Sequence, residues 1–172
     1  KRRPTTDPVV SDRSNPRYQG KAVKLPDGLR FIFGRNMLDL ADRSTGDILF
    51  QCDGPAPFVA KRWKNFEELQ AGCPVGNRIG VRLEAPDCWD GKNLDSPDHR
   101  SHISYGSYGS WGYYKCPTTH PYVIPAFTLG VWYTQAAGET YSFVSDHMDT
   151  SLGHKRGDTF HADFFMAWDP KV

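Results

Sequence analysis

Apolar and polar residues alternate in several short stretches of this chain with the two-residue period of half-buried strands, not the 3.6-residue period of helices. Leu29, Phe31 and Phe33 alternate with Arg30, Ile32 and Gly34. Ile48, Phe50 and Cys52 repeat the pattern, as do Ile79, Val81 and Leu83 against Gly80, Arg82 and Glu84. Residues 127–135 and 141–145 predict two more strands, and the polar run 135–140 between them predicts a hairpin with a longer loop. The last strand is the clearest. Phe160, Ala162, Phe164, Met166 and Trp168 fall on a core face, while His161, Asp163, Phe165 and Ala167 fall on the other. Residues 64–71 break the rule and predict one short helix, with Asn65 as N-cap and Glu68 at the capping-box position.

Pro26-Asp27-Gly28 is a turn signal that opens the patterned region. Residues 1–25, rich in Pro, Arg, Asp and Ser, read as an irregular arm. Many short strands between Gly/Pro turns predict a mainly β fold, sandwich- or jelly-roll-like, with long loops and at most one or two short helices. The expected organisation is an arm over 1–25 and a single β domain over 26–172.

Charge narrows the partners. The net charge is +1, so no global field favours nucleic acid or a membrane surface. The clusters Lys1-Arg2-Arg3 and Lys61-Arg62-x-Lys64 read as solvated surface. No apolar run approaches the length of a membrane span. Cysteine usage says more. Cys52, Cys73, Cys88 and Cys116 form no C-x-x-C pair, which argues against a zinc knuckle. Sequence neighbours are usually spatial neighbours, which favours Cys52–Cys73 and Cys88–Cys116. Each bridge would stabilise by roughly 3 kcal/mol on the chain-entropy model. Paired cysteines imply an oxidising, extracellular setting, and four buried thiols would imply the opposite.

Polar chemistry is concentrated in three motifs. The densest is Cys88-Trp-Asp-Gly-Lys-Asn-Leu-Asp-Ser-Pro-Asp-His-Arg-Ser-His102. The others are Cys116-Pro-Thr-Thr-His120-Pro and Phe160-His-Ala-Asp-Phe164. Between the first two lies Ser104-Tyr-Gly-Ser-Tyr-Gly-Ser-Trp-Gly-Tyr-Tyr114, whose frequent glycines discourage regular structure and would offer aromatics from a loop.

At these motifs, together with Gly28-Leu-Arg-Phe-Ile32 and Trp168-Asp169, the chain resembles an extracellular family of fungi and actinobacteria, DUF1996. Its members sometimes stand beside WSC carbohydrate-binding modules. The resemblance spans residues 28–169 and implies a secreted protein with a polar site, but no particular reaction. Family members also carry an upstream Ser-His-x-His-Asp-Phe motif that is not in this sequence. The resemblance therefore implies that the chain corresponds to the C-terminal part of the full family domain.

The residue types support an enzyme acting on extracellular polysaccharide or cell-wall glycan, as a hydrolase or a lyase. His99, His102, His120 and His161, with Asp98 and Asp163, are the candidate acids and bases. Arg100 and Lys92 could bind a sugar carboxylate. Trp89, Tyr105, Tyr108 and Trp111 could stack on sugar rings. The competing structural readings are plain: Asp90 and Asp95 as turn residues, Asp98-His99-Arg100 as a salt-bridged corner, His120 as a loop pin, and His161 with Asp163 as a hydrogen-bonded pair. His147 and His154, with Asp146, Asp149 and Asp158, read as surface. The sequence demands no cofactor. A divalent metal held by His and Asp, or a glycan-binding module without turnover, is the alternative function, although no H-E-x-x-H string is present. A serine triad lacks its G-x-S-x-G elbow.

Overall fold

The computed structural model describes residues 6–36, 48–54, 61–109, 112–148 and 150–167. In chain order the elements are α1 (Pro8–Ser11), β1 (Lys21–Ala22), β2 (Arg30–Gly34), β3 (Ile48–Asp53), β4 (Lys61–Trp63), α2 (Phe66–Gly72) and β5 (Arg78–Glu84). There follow β6 (Cys88–Trp89), β7 (Ile103–Ser104), β8 (Ser107–Tyr108), β9 (Tyr114–Lys115), β10 (Tyr122–Val123), β11 (Thr128–Thr134) and β12 (His161–Phe165). Two 3-10 turns, Val144–His147 and Thr150–Leu152, precede β12. The fold is mainly β with two short helices, as the alternation predicts. The chain divides into two compact units, residues 1–33, 85–127 and 163–172, and residues 34–84 and 128–162.

The first unit contains a sheet of two-residue strands in the order β1-β10-β6-β7, and the β8–β9 hairpin. β2 pairs with β12, and Arg30–Phe33 of the one and Asp163–Phe165 of the other fall in this unit. Strands this short hold little by themselves, so side chains do the rest. Phe31 is buried, with Phe33 at 5.8 Å, Phe164 at 4.9 Å and Phe127 at 6.4 Å between ring centroids. Cys88–Cys116 joins the loop after β9 to β6, with Cα atoms 5.6 Å apart. The expected irregular arm is partly regular. Asp7 caps α1 by accepting from the Val9 N–H, Val10 is buried, and β1 pairs in parallel with β10. The glycine-rich aromatic stretch is also more regular than expected, because it forms the β8–β9 hairpin; Ser110 and Trp111 lie outside the described residues.

The second unit is built on an antiparallel sheet, β11-β5-β3-β4. Ile79, Val81 and Leu83 are completely buried on one face, with Phe50 and Cys52 beside them. The helix starts where its cap predicts: Asn65 Oδ1 accepts from Glu68 N at 2.9 Å. Glu68 closes the box on Lys64 N, one residue earlier than the standard pattern. Cys52–Cys73 fastens β3 to the residue after α2.

The predicted hairpin between 127–135 and 141–145 does not form. β11 pairs with β5 instead, from Thr128↔Glu84 to Thr134↔Arg78. Polar side chains take the backbone groups that a ladder would have used. Tyr141 N donates to Gln70 Oε1, and Phe143 N donates to Asp146 Oδ2. Asp146 is not the surface residue expected. It is buried and also accepts from Gly157 N, Thr159 N and the Thr159 hydroxyl. Asp158 is buried as well; Asp149 lies outside the described residues.

In the last strand the alternation holds. Phe160 is buried and Ala162 and Phe164 half-buried, whereas Asp163 and Phe165 are exposed. Trp168 lies outside the described residues. Phe31→Ala is expected to lower stability by about 3–5 kcal/mol, the cost of emptying a buried aromatic site. Phe165→Ala, on the solvent face, is expected to stay within about 0.5 kcal/mol. Urea unfolding of the two variants checks this contrast.

Candidate functional site

The segment from Trp89 to His102 leaves β6 and returns as β7, so its two ends are held together by an antiparallel pair. Between them it folds on its own carboxylates. Asp90 accepts from Lys92 N at 2.8 Å, Asn93 N at 3.0 Å and Asn93 Nδ2 at 2.6 Å. Trp89 closes the same turn by donating its indole N–H to Asn93 O at 2.7 Å. Asp98 Oδ1 accepts from Arg100 N, Ser101 N and the Ser101 and Ser96 hydroxyls, at 2.7–3.0 Å. These are Asx-type turns, which Asp and Asn form because their short side chains reach backbone N–H groups nearby.

The loop is then fastened to β2. Arg30 N donates to Leu94 O, and Ile32 N to His99 O. Asp95 makes the side-chain link. Its Oδ2 accepts from Arg30 Nε at 2.7 Å and its Oδ1 faces His99 Nδ1 at 2.7 Å. The His99 hydrogen bond, opposed by desolvation and helped by the Arg30 guanidinium, holds the Asp95 carboxyl down at about 2. Asp95 is therefore ionised at neutral pH, and Nδ1 of His99 carries the proton it donates. In the neutral ring Nε2 is then the lone-pair nitrogen. That nitrogen has no partner among the described residues, and the side chain is 46% exposed. His99 also has φ 53°, the sole positive φ of a non-glycine among the described residues. Such a conformation costs about 1–2 kcal/mol and needs its surroundings to hold it.

The other candidates have different surroundings. His102 is 1% exposed. Its Nε2 faces Arg30 O at 2.9 Å and its Nδ1 faces Ser96 Oγ at 2.7 Å, so neither nitrogen is left to meet a substrate. Burial pushes its imidazole down, against the Arg30 carbonyl and the charges of Asp95, Asp90 and Asp98. His120 uses both nitrogens to pin its loop, one on Thr119 Oγ1 and one on Ser101 O. Asp98 anchors the turn described above. His161 lies in the second unit, where its Nδ1 donates to Thr159 O at 2.7 Å. Asp163 lies in the first unit and is exposed.

Among the binding candidates, Tyr108 is exposed, packed edge-on against Tyr114. Lys92 is exposed, Trp89 stacks at a tilt on Tyr122, and Tyr105 and Arg100 are half-buried. Trp111 lies outside the described residues. The structure thus singles out His99 with two residues that sequence reasoning left aside, Asp95 and Arg30. The signal was the Asp95-x-x-x-His99 spacing, passed over because Asp beside Ser-Pro reads as a turn. Among the described residues, no three of His, Cys, Asp and Glu come together to hold a metal ion.

This is a mainly β protein stapled by two disulfides, with a carboxylate-oriented imidazole on a loop of tight Asx turns. A family model described as "Domain of unknown function (DUF1996)" matches residues 10–168, and the chain belongs to that family. No curated protein and no solved structure matches it.

The loop carries a pH signature of its own. Partial burial would raise the Asp98 carboxyl, but the Ser101, Ser96 and Arg100 donors outweigh it and hold the group well below the usual carboxylate range. A carboxylate with a depressed folded-state value stabilises the fold above its unfolded value and loses that contribution as pH falls through the folded one. Asp98→Asn is expected to lower stability at neutral pH by about 1 kcal/mol, after allowance for solvent screening. The deficit should shrink towards strongly acid pH. Urea midpoints of the two proteins measured across the acid range check the sign.

Proposed function

We propose that the protein is a secreted enzyme that cleaves an acidic extracellular polysaccharide by β-elimination, with His99 as the base. The observation that carries this reading is the Asp95–His99 pair. A carboxylate 2.7 Å from Nδ1 fixes the tautomer and leaves Nε2 open at a half-exposed ring. A nitrogen so placed can take a proton from a bound substrate. Arg30 shares the same Asp95 carboxylate, and its side chain is 53% exposed, so a cation stands beside the base. In the proposed step Nε2 takes the proton next to the carboxylate of a uronate unit, whose charge Arg30 balances. The electron pair of that C–H bond forms a new C=C bond as the bond to the departing sugar oxygen breaks, and that oxygen leaves with the C–O pair. It takes the proton back from the imidazolium, so no water is consumed.

Elimination is favoured over hydrolysis by the state of the carboxylates. Glycoside hydrolysis generally uses two of them, one as acid and one as base or nucleophile. In this loop Asp90, Asp95 and Asp98 are each engaged by local donors. The two disulfides support the extracellular setting, since such bonds persist in oxidising compartments. Among the described residues no helix is long and apolar enough to cross a membrane.

The test is a panel of uronate-containing polysaccharides, followed by the ultraviolet absorbance of the unsaturated product. His99→Ala is expected to lower turnover by about 10²-fold or more, with a smaller fall in melting temperature than His102→Ala. His102→Ala is expected to act mainly on the melting temperature, because a buried side chain with two hydrogen bonds is lost. Glycan binding without product from the native protein would favour the non-catalytic module. Loss of turnover in His102→Ala with His99→Ala fully active would overturn the assignment of the base.

A further inference from the structure

We infer that the buried His102 is a proton-operated latch between the polar loop and β2. It takes a second proton from solvent, at Nδ1, and the imidazolium so formed completes a hydrogen-bond chain from the Arg30 carbonyl through Ser96 to Asp98. The count of hydrogens along that chain carries the inference. His102 Nε2 lies 2.9 Å from Arg30 O. A carbonyl oxygen only accepts, so Nε2 carries a hydrogen. Nδ1 lies 2.7 Å from Ser96 Oγ, and the same Oγ lies 2.7 Å from Asp98 Oδ1. Against partial burial, donors from Ser101, Ser96 and Arg100 hold Asp98 well below the usual carboxylate range, so it is ionised and supplies no hydrogen. With a neutral ring, the two short contacts of Ser96 Oγ share one hydrogen, that of the hydroxyl itself. One of them is then a meeting of lone pairs. A hydrogen on Nδ1 removes the conflict: Nδ1 donates to Oγ, and Oγ donates to the carboxylate.

The ring is 1% exposed. Burial opposes a charge there, whereas the Arg30 carbonyl and the carboxylates of Asp95, Asp90 and Asp98 favour it. The Arg30 guanidinium and His99 both face Asp95. An imidazolium whose two N–H groups both meet acceptors, with carboxylates around it, is the form in which a buried charge is tolerated. Loss of the proton has a defined local effect. The Ser96 hydroxyl turns to His102, and Asp98 keeps only its Arg100 and Ser101 donors. His99 stands inside that turn, between Asp98 and Arg100, with its φ of 53°. The protonation state of the enclosed ring therefore reaches the backbone that aims the exposed one. It does so whether or not His99 turns over a substrate.

The experiment follows the His102 ring nitrogens of the native protein by nitrogen–proton correlation NMR, from neutral to acid pH, as far as the protein stays folded. The expected result is uptake of a hydrogen at Nδ1 in the folded state, with the backbone amides of Arg100 and Ser101 shifting in the same step. Ser96→Ala removes the acceptor for Nδ1, and the midpoint of the step should fall by about one pH unit, a tenfold loss of proton affinity. Asp98→Asn removes the charge at the end of the chain and should also move the midpoint to lower pH, which gives a second, independent reading of the same chain. A ring that stays neutral until the protein unfolds would overturn the inference. So would a midpoint that either folded variant leaves in place, or a step that the Arg100 and Ser101 amides do not follow.

Discussion

One carboxylate ties the polar loop to the strand beneath it. Asp95 bridges Arg30 on β2 and His99 on the loop, and both contacts are 2.7 Å or shorter. Around it, backbone bonds from Arg30 and Ile32 and the buried His102 ring stitch the loop to the same strand. The segment contains almost no regular structure, so these polar links replace the ladder that would otherwise order it. They also hold His99 in a left-handed conformation that a free loop would leave. The arrangement concentrates negative charge where a histidine must be both oriented and exposed.

Much of the β framework was legible in the alternation. Residues 29–34, 48–53 and 79–84 became β2, β3 and β5 almost to the residue, because a strand buried on one face must alternate. The cap at Asn65 and both disulfides were equally readable, since each is a local rule. The failures share a cause. Residues 141–145 have strand-like composition, yet Gln70 and Asp146, remote or downstream in sequence, capture their backbone. The arm and the aromatic stretch gained regular structure from pairing partners far away or across a turn. Pairing partners of that kind leave no periodic trace.

The candidate site was legible as a region but not as an arrangement. The motif from Cys88 to His102 marked the loop that carries the Asp95–His99 pair, and His99 was among the residues named. What could not be read was the division of labour among chemically similar side chains. His102 and His99 lie three residues apart, yet one is enclosed with both nitrogens engaged and the other has a nitrogen with no partner among the described residues. Asp95 and Asp98 are equally close, and one orients the His99 ring while the other ties a turn. Only the course of the loop across β2 decides between them, and that course depends on Arg30, 65 residues from Asp95.

The disulfide pattern bears on how such a chain matures. Each bridge joins cysteines consecutive along the sequence, 21 and 28 residues apart, and each lies inside one compact unit. A chain threaded N-terminus first into an oxidising lumen would present Cys52 and Cys73 together before Cys88 arrived. The same order would then deliver Cys88 and Cys116. In such a chain, oxidation in order of emergence would yield these two pairs directly.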